Sequence, residues 1–377
     1  MPEYQYVDFH ILQTVPPANL NRDDQGNPKE AYFGGVRRSR VSSQAWKRAP
    51  RIEFDRHLPR ADRSTRTKQI AKQLAGRVAD RTGLDQEQAQ RLADALLEPL
   101  GIKAGRKDRD TAYLLYYGHG QLDRIVDLVA DRAAELAALP DDALAAAAKD
   151  LKIADELKTG HPMGVALFGR MVADIPSLNV DAAAQVAHAL STHRVELESD
   201  YYTAVDDANE RDEPGAGMIG NIGFNSATLY RYATIGVHQL IDNIGSVDAA
   251  LDAVHRFGRA FALSMPTGHI NAFAHRTRPS LVAVVVRDDQ PVNLVSAFEH
   301  PVSATDTVGI AAASADRLAK EYLRSVRQWG DQPLHAAVSH ALDEAAESIT
   351  RAFGPTQTFD QTMDGLNNAL ARAWKRS

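Results

Sequence analysis

The sequence has no cysteine, which excludes disulfides and thiolate metal sites and fits a reducing cytosol. It has no apolar run of membrane-spanning length, and Leu281–Val286 is short enough to be a buried strand. The opening residues, MPEYQYVDFHIL, lack the basic stretch and apolar core of a signal peptide. A soluble, cytoplasmic protein without a membrane partner is expected. Positive charge is in deficit, since 43 Lys and Arg face 49 Asp and Glu for a net charge of -6. That balance argues against indiscriminate nucleic-acid binding over the whole surface. Any such binding needs a local groove, or a groove built by several copies. Zinc spacing is missing too. The 13 histidines are scattered, and His188 with His193, or His335 with His340, would diverge on a helix. No G-x-S-x-G nucleophile elbow occurs, and no strand carries an aromatic RNP signature. Neither a catalytic set nor a bound metal or cofactor is expected.

Against this background the stretch Val36–Ile52, VRRSRVSSQAWKRAPRI, stands out. It carries Arg37, Arg38, Arg40, Lys47, Arg48 and Arg51 and no acid. In an acidic chain such clustering points to a localised anion. Val41 between Arg40 and Ser42 reads as the end of a short strand leading into a helix, with Ser42 or Ser43 as N-cap and Gln44 beside the first turn. Unpaired amides at such a terminus suit a phosphate. In a helix Ser43, Lys47 and Arg51 share a face, as do Gln44 and Arg48. A solvated basic face is the bland alternative. Between anions, the spacing favours a nucleic-acid backbone over a small phosphate metabolite.

At 377 residues, with 44% hydrophobic and 24% charged residues, the chain is long enough for two domains or one with a large insertion. Tyr4–Leu12 alternates as a strand, followed by a turn-rich loop holding Asn21, Arg22 and Lys29. From about 60 to 174 the periodicity is helical (Ile70, Leu74, Val78; Ala89, Leu92, Leu96; Leu122, Ile125, Val129), interrupted by Gly and Pro. Val180–Thr192 reads as helix and His193–Ser199 as strand. Tyr201–Val205 and Thr228–Ile235 read as strands flanking an exposed loop over 206–223. Ser246–Met265 reads as helix, Leu281–Val286 and Val292–Phe298 as strands, and the remainder as helices to Gln328, over Leu334–Phe353 and after Asp360. This alternation suits an α+β fold with helices on one face of the sheet, as in ferredoxin-like domains.

Other motifs are weaker. GAGMIG (215–220) matches G-x-G-x-x-G but lacks the strand before it and helix after it that a dinucleotide site needs. It places Met218 and Ile219 at an exposed tip, where they would wedge between stacked bases or pack on a neighbouring subunit. Asp23-Asp24 and Asp206-Asp207 could hold a divalent cation, but turn-forming roles suit them better.

The runs NLNRDD, FGG and R-x-R-V-S-S-Q-x-x-K-R resemble the CasC-type backbone subunit of type I-E CRISPR effector complexes, the Cascade assemblies. FGRM (168–171), NVDAAAQVAHA (179–189), DYYTAVDD (200–207), LYRYA (229–233) and P-T-G-x-x-N (266–271) extend the likeness in order along most of the chain. The resemblance implies an α+β fold with an RRM-like (ferredoxin-like) palm over 1–59 and 175–377, a large helical insertion, the fingers, over 60–174, and a protruding hairpin thumb at about 200–223. It implies a non-catalytic subunit that polymerises head to tail along a CRISPR guide RNA, with other Cascade subunits, and presents the guide to target DNA. It implies guide contacts from Arg22, Arg40, Ser42, Gln44, Lys47, Arg48, Gly268, His269 and Asn271. Tyr201, Tyr202, Met218, Ile219 and Met171 would stack or wedge between bases. The sequence departs from the family at Ala45 and Trp46. Pro50 is expected to kink or end the helix early, and His269 stands where lysine is common. Two alternatives remain. One is a metal-dependent ribonuclease using Asp23 or Asp207, and the other is a helical scaffold without nucleic acid.

Overall fold

The computed structural model describes residues 4–101, 111, 114–173, 175–205 and 216–375, with backbone alone at 203–205, 216–219 and 375. The chain begins with β1 (Tyr6–Ala18), β2 (Glu30–Phe33), β3 (Val36–Val41) and α1 (Ser43–Arg56). A largely helical stretch follows: β4 (Ser64–Thr67), α2 (Ile70–Thr82), α3 (Gln86–Leu97), β5 (Leu115–Gly118), α4 (His119–Asp127), α5 (Ala133–Ala137), α6 (Asp141–Asp150), α7 (Ile153–Lys158) and α8 (Met163–Phe168). Then come β6 (Ala184–Val186), β7 (Ala189–Ser191), β8 (Glu198–Val205), β9 (Ala216–Gly236), α9 (Val237–Ile244), α10 (Val247–Leu263) and α11 (Ile270–Phe273). The chain ends with β10 (Leu281–Arg287), α12 (Ile310–Trp329), β11 (His335–His340), α13 (Ala346–Phe353) and α14 (Phe359–Lys375). The fold is mixed α+β, and it divides into two units. One comprises Met1–Glu53, Val186–Thr234 and His255–Ser377, the other Phe54–Gln185 and Ile235–Val254. Among the described residues no helix is long and apolar enough to cross a membrane.

The first unit is built on a sheet of order β11-β10-β1-β9-β7-β3-β2, with β8 paired to β9. Its registers include Phe9↔Val284 between β1 and β10 and Val284↔Ala337 between β10 and β11, both antiparallel. Every residue of β10 is buried, which explains why Leu281–Val286 reads as one apolar run rather than an alternation. Leu12, Leu281, Ala283 and Val285 face Leu318, Tyr322 and Phe353 of α12 and α13. On the opposite face Phe9 meets Phe257 and Phe261 of α10, with ring centroids 5.7 and 6.5 Å apart. Helices therefore cover both faces of the sheet, where the sequence pattern pointed to one.

Three local readings are corrected by the same physics. Val180–Thr192 is not a helix. Its alanine-rich sequence is held extended by pairing, Ala187 N–H to the Tyr232 carbonyl and Leu190 opposite Tyr230. His335–His340, expected within a helix, is the strand β11 that completes the edge of β10. Val292–Phe298 is not a strand, because Leu294–Phe298 forms a 3-10 turn whose Asn293 side chain caps the Val295 N–H. Its entry is pinned by buried groups: the Val292 N–H donates to Asp8 Oδ2 at 3.0 Å and the Leu294 N–H to the Tyr230 hydroxyl at 3.2 Å. Of His193–Ser199, only the end enters β8.

The second unit gathers the expected helical stripe. Ile70, Leu74, Val78, Leu92, Leu96, Ile125, Val126 and Leu157 form one buried cluster. It also contains a small antiparallel pair, Thr65 opposite Tyr117, that the helical periodicity did not signal. Arg170 is buried there and donates to the carbonyls of Leu178 and Leu157; burial pulls its guanidinium down to about 10.

Candidate nucleic-acid interface

The basic stretch folds as β3 followed by α1. Gly34 and Gly35, at φ of 60° and 77°, make the two-residue turn that brings β2 back along β3. Ser42 is the N-cap of α1, its hydroxyl accepting from the Ala45 N–H at 3.3 Å. The Ser42 N–H donates to Asn21 Oδ1 and the Ser43 N–H to His188 Nδ1, both at 2.8 Å. The helix start therefore has protein partners at Ser43 and Ala45, where the sequence suggested free amides. The cations split by side. Arg38 turns inward and is fully buried, donating to the carbonyls of Ser191, Phe298 and Glu299. Arg37 pairs with Glu30. Arg40 and Lys47 are half-buried, Gln44 and Arg48 exposed, and Ser42 buried.

Below this polar rim α1 is anchored by Trp46, which is 1% exposed. The Arg231 guanidinium of β9 lies 3.8 Å from the Trp46 ring centroid and donates to Gln13 Oε1. Burial lowers the Arg231 pKa to about 9. Pro50 does not end the helix, which runs on to Arg56 with the proline inside it. Trp46 and Pro50 are both buried one turn apart, so tertiary packing holds the helix across the missing N–H.

A second strip adjoins the first. Arg22 Nη1 lies 3.0 Å from His269 Nε2; a guanidinium only donates, so this ring nitrogen accepts. His269 sits at φ 48° in the left-handed region. Beside it Gly268 runs so close to the 19–20 backbone that an added Cβ would lie 2.4 Å from the Leu20 carbonyl oxygen. The Phe273 ring, 6.3 Å from His269, also meets Phe224 of β9 at 5.9 Å. Asn19 Nδ2 donates to the carbonyls of Gly26 and Gly223, tying the 19–27 loop to the β8–β9 hairpin. Arg22 and Asn271 are exposed.

In that hairpin Tyr202 pairs with Gly220 and Tyr201 with Asn221. The two tyrosines therefore face opposite sides. Tyr202 lies over Gly220, where an added Cβ would come 2.4 Å from its ring, whereas Tyr201 is 66% exposed. Met218 and Ile219 do not sit in a loop: their backbone belongs to β9, opposite Ala204 and Thr203. Of the loop expected over 206–223, residues 216–223 belong to β9, and 206–215, with Asp206 and Asp207, lie outside the described residues. Met171 is 83% exposed and belongs to the second unit. Asp23 Oδ1 accepts from the Gln25 and Asn27 amides at 2.9 Å, a turn-forming role. Among the described residues no group of three or more His, Asp or Glu is arranged to hold a metal.

The sequence matches the family described as CT1975-like protein over residues 7–365. The chain belongs to the CT1975-like protein family. Two solved structures are similar over nearly the whole length. A chain of a "CRISPR RNA-guided surveillance complex, pre-nicking" is 32% identical, with a TM-score of 0.82 over 97% of this chain and 100% of its own. A chain of a "CRISPR RNA-guided surveillance complex" is 29% identical, with a TM-score of 0.71 over 97% and 99%. No curated protein matches.

In this CT1975-like chain the rim is also held by residues to which the sequence reading gave no site role. Asn21 and His188 both receive amides from the start of α1. Placing His188 in a helix hid its position opposite that start. Phe224 and Phe273 fix the hairpin base, a contact between residues too far apart in sequence for any local pattern to reveal.

Proposed function

We propose that this chain is the non-catalytic backbone subunit of a Cascade-type complex, of the CasC type, whose RRM-like palm holds the sugar-phosphate backbone of a CRISPR guide RNA. One observation carries the reading. Segments far apart in sequence, around Arg22, Arg40–Arg48 and Gly268–Asn271, meet in one cation-rich strip of one unit. They do so in a chain 32% identical, over 97% of its length, to a chain of an RNA-guided complex. Arg22, Arg40, Lys47 and Arg48 supply charge, while Ser42, Gln44 and Asn271 supply neutral hydrogen-bonding groups. A guide holder must accept any sequence, so contacts to phosphate and shape suffice and base pairing reads the target. The β8–β9 hairpin acts as the thumb, with Tyr201, Met218, Ile219 and, from the helical unit, Met171 as wedges between bases. Copies stack head to tail, joined by other Cascade subunits, and present the guide to target DNA.

Titration of single-stranded RNA tests this. Lys47→Ala and Arg48→Ala should each weaken binding alike for different sequences. Each should also reduce the slope of log K against log salt by about 0.7, the value for one lost phosphate contact. A loss confined to one RNA sequence would contradict backbone reading.

A further inference from the structure

Outside the residues assigned above, the strands flanking β3 bring a third group to the rim. Arg40 on β3 is paired with Leu190 of β7, and Val41 with Ala189, so His188 falls opposite Ser42. On the other side the Arg40 N–H donates to the Lys29 carbonyl at 2.9 Å, extending the Glu30↔Ser39 register by one residue and setting Lys29 opposite Arg40. Residues directly opposite, and those two apart, share a face of a sheet. Lys29, Arg40 and His188 therefore project from the same side, and His188 is exposed. Its protonation is set by a neighbour. The Ser43 N–H can only donate, and it lies 2.8 Å from His188 Nδ1. Nδ1 is thus the acceptor, and in the neutral ring the proton sits on Nε2. Among the described residues Nε2 has no hydrogen-bond partner.

Resting on the guide-binding reading, we infer that His188 is a further RNA-binding residue: its Nε2–H donates to a phosphate oxygen of the backbone, held jointly with the Lys29 ammonium and the Arg40 guanidinium. Cost of desolvation, and then the nearby Arg40 and Lys29 charges, lower the His188 pKa and favour this neutral form. Two substitutions separate the ring's two nitrogens. His188→Asn keeps an acceptor where Nδ1 stood and removes the outer donor. His188→Gln keeps a donor near Nε2 and removes the acceptor.

The test is fluorescence anisotropy of a labelled mixed-sequence single-stranded RNA with the purified full-length chain over a salt series, beside thermal unfolding of each variant. His188→Asn should bind about tenfold more weakly, as for a lost hydrogen bond to a charged group, and melt with the wild type. Its salt slope should be unchanged, because a neutral donor releases no counterion. His188→Gln should bind within about twofold of wild type but melt lower, having lost the bond at the start of α1. Lys29→Ala should reduce the salt slope by about 0.7. The inference is overturned if His188→Asn binds RNA like the wild type, or if affinity falls in both variants only in step with stability. If the wild type itself shows no salt-dependent RNA binding, the underlying function reading fails and takes this inference with it.

Discussion

Gly268 lies beside the rim of the first unit, and His10 is buried in its interior. An added Cβ at Gly268 would collide with backbone, the Leu20 and Asn19 carbonyls, which no side-chain rotation relieves. Gly268→Ala should therefore push the 266–271 loop away and part His269 from Arg22. A destabilisation of about 1–3 kcal/mol is expected from such a clash, with RNA affinity reduced and the salt slope kept, read by urea unfolding and RNA titration. In the interior, burial lowers the His10 pKa to about 3 while burial raises that of Asp8 to about 6. The signs oppose. Unfolded His10 binds a proton that the folded ring refuses, so its stabilisation is present above about pH 6.5 and is lost as pH falls. Folded Asp8 keeps its proton longer, so its contribution is present below about pH 4 and is lost as pH rises through about 6. Urea midpoints between pH 4 and 7 should show a shallower acid limb for His10→Gln and a steeper one for Asp8→Asn. Parallel shifts with unchanged slopes would refute the assignment. The sequence alone could not reveal these two groups, because their chemistry comes from Tyr230, Tyr232 and the amides of 292 and 294, more than 200 residues away.

Helix α1 is the element on which the rim depends. Trp46 is its fully buried anchor in the sheet unit, stacked with Arg231 and edge-on to Phe261. Trp46→Ala should cost about 3–5 kcal/mol, as for other buried aromatics. RNA binding should fall beyond what unfolding explains, while Trp46→Phe should recover most of both, measured by circular dichroism during urea unfolding and by RNA titration. Much of this element was legible in sequence. The strand-to-helix step, the serine cap and the outward Gln44, Lys47 and Arg48 all follow from local pattern. What failed was non-local. Pro50 is overruled by packing, and Arg38 is drawn inward by three carbonyls from other segments. Ala184–Val186, Ala189–Ser191 and His335–His340 are strands because they pair with the edges of β9 and β10, and that pairing overrides the helix preference of their alanines.

For the whole molecule the central tension is charge: a net of -6 beside a cation-lined strip that the proposed function assigns to a polyanion. Repetition resolves it. Under the proposed function, copies in a row would join short strips into a continuous positive groove, while acidic surfaces elsewhere would suppress unspecific association. The sheet unit carries the strip, and the helical unit carries the exposed Met171. Stacked copies predict a periodic footprint. The most direct measurement is nuclease protection of the RNA held by the purified complex. The account predicts a ladder of protected intervals of constant length, independent of guide sequence and lost together with Lys47 and Arg48. Unprotected RNA, or a single protected patch that follows one sequence, would contradict it.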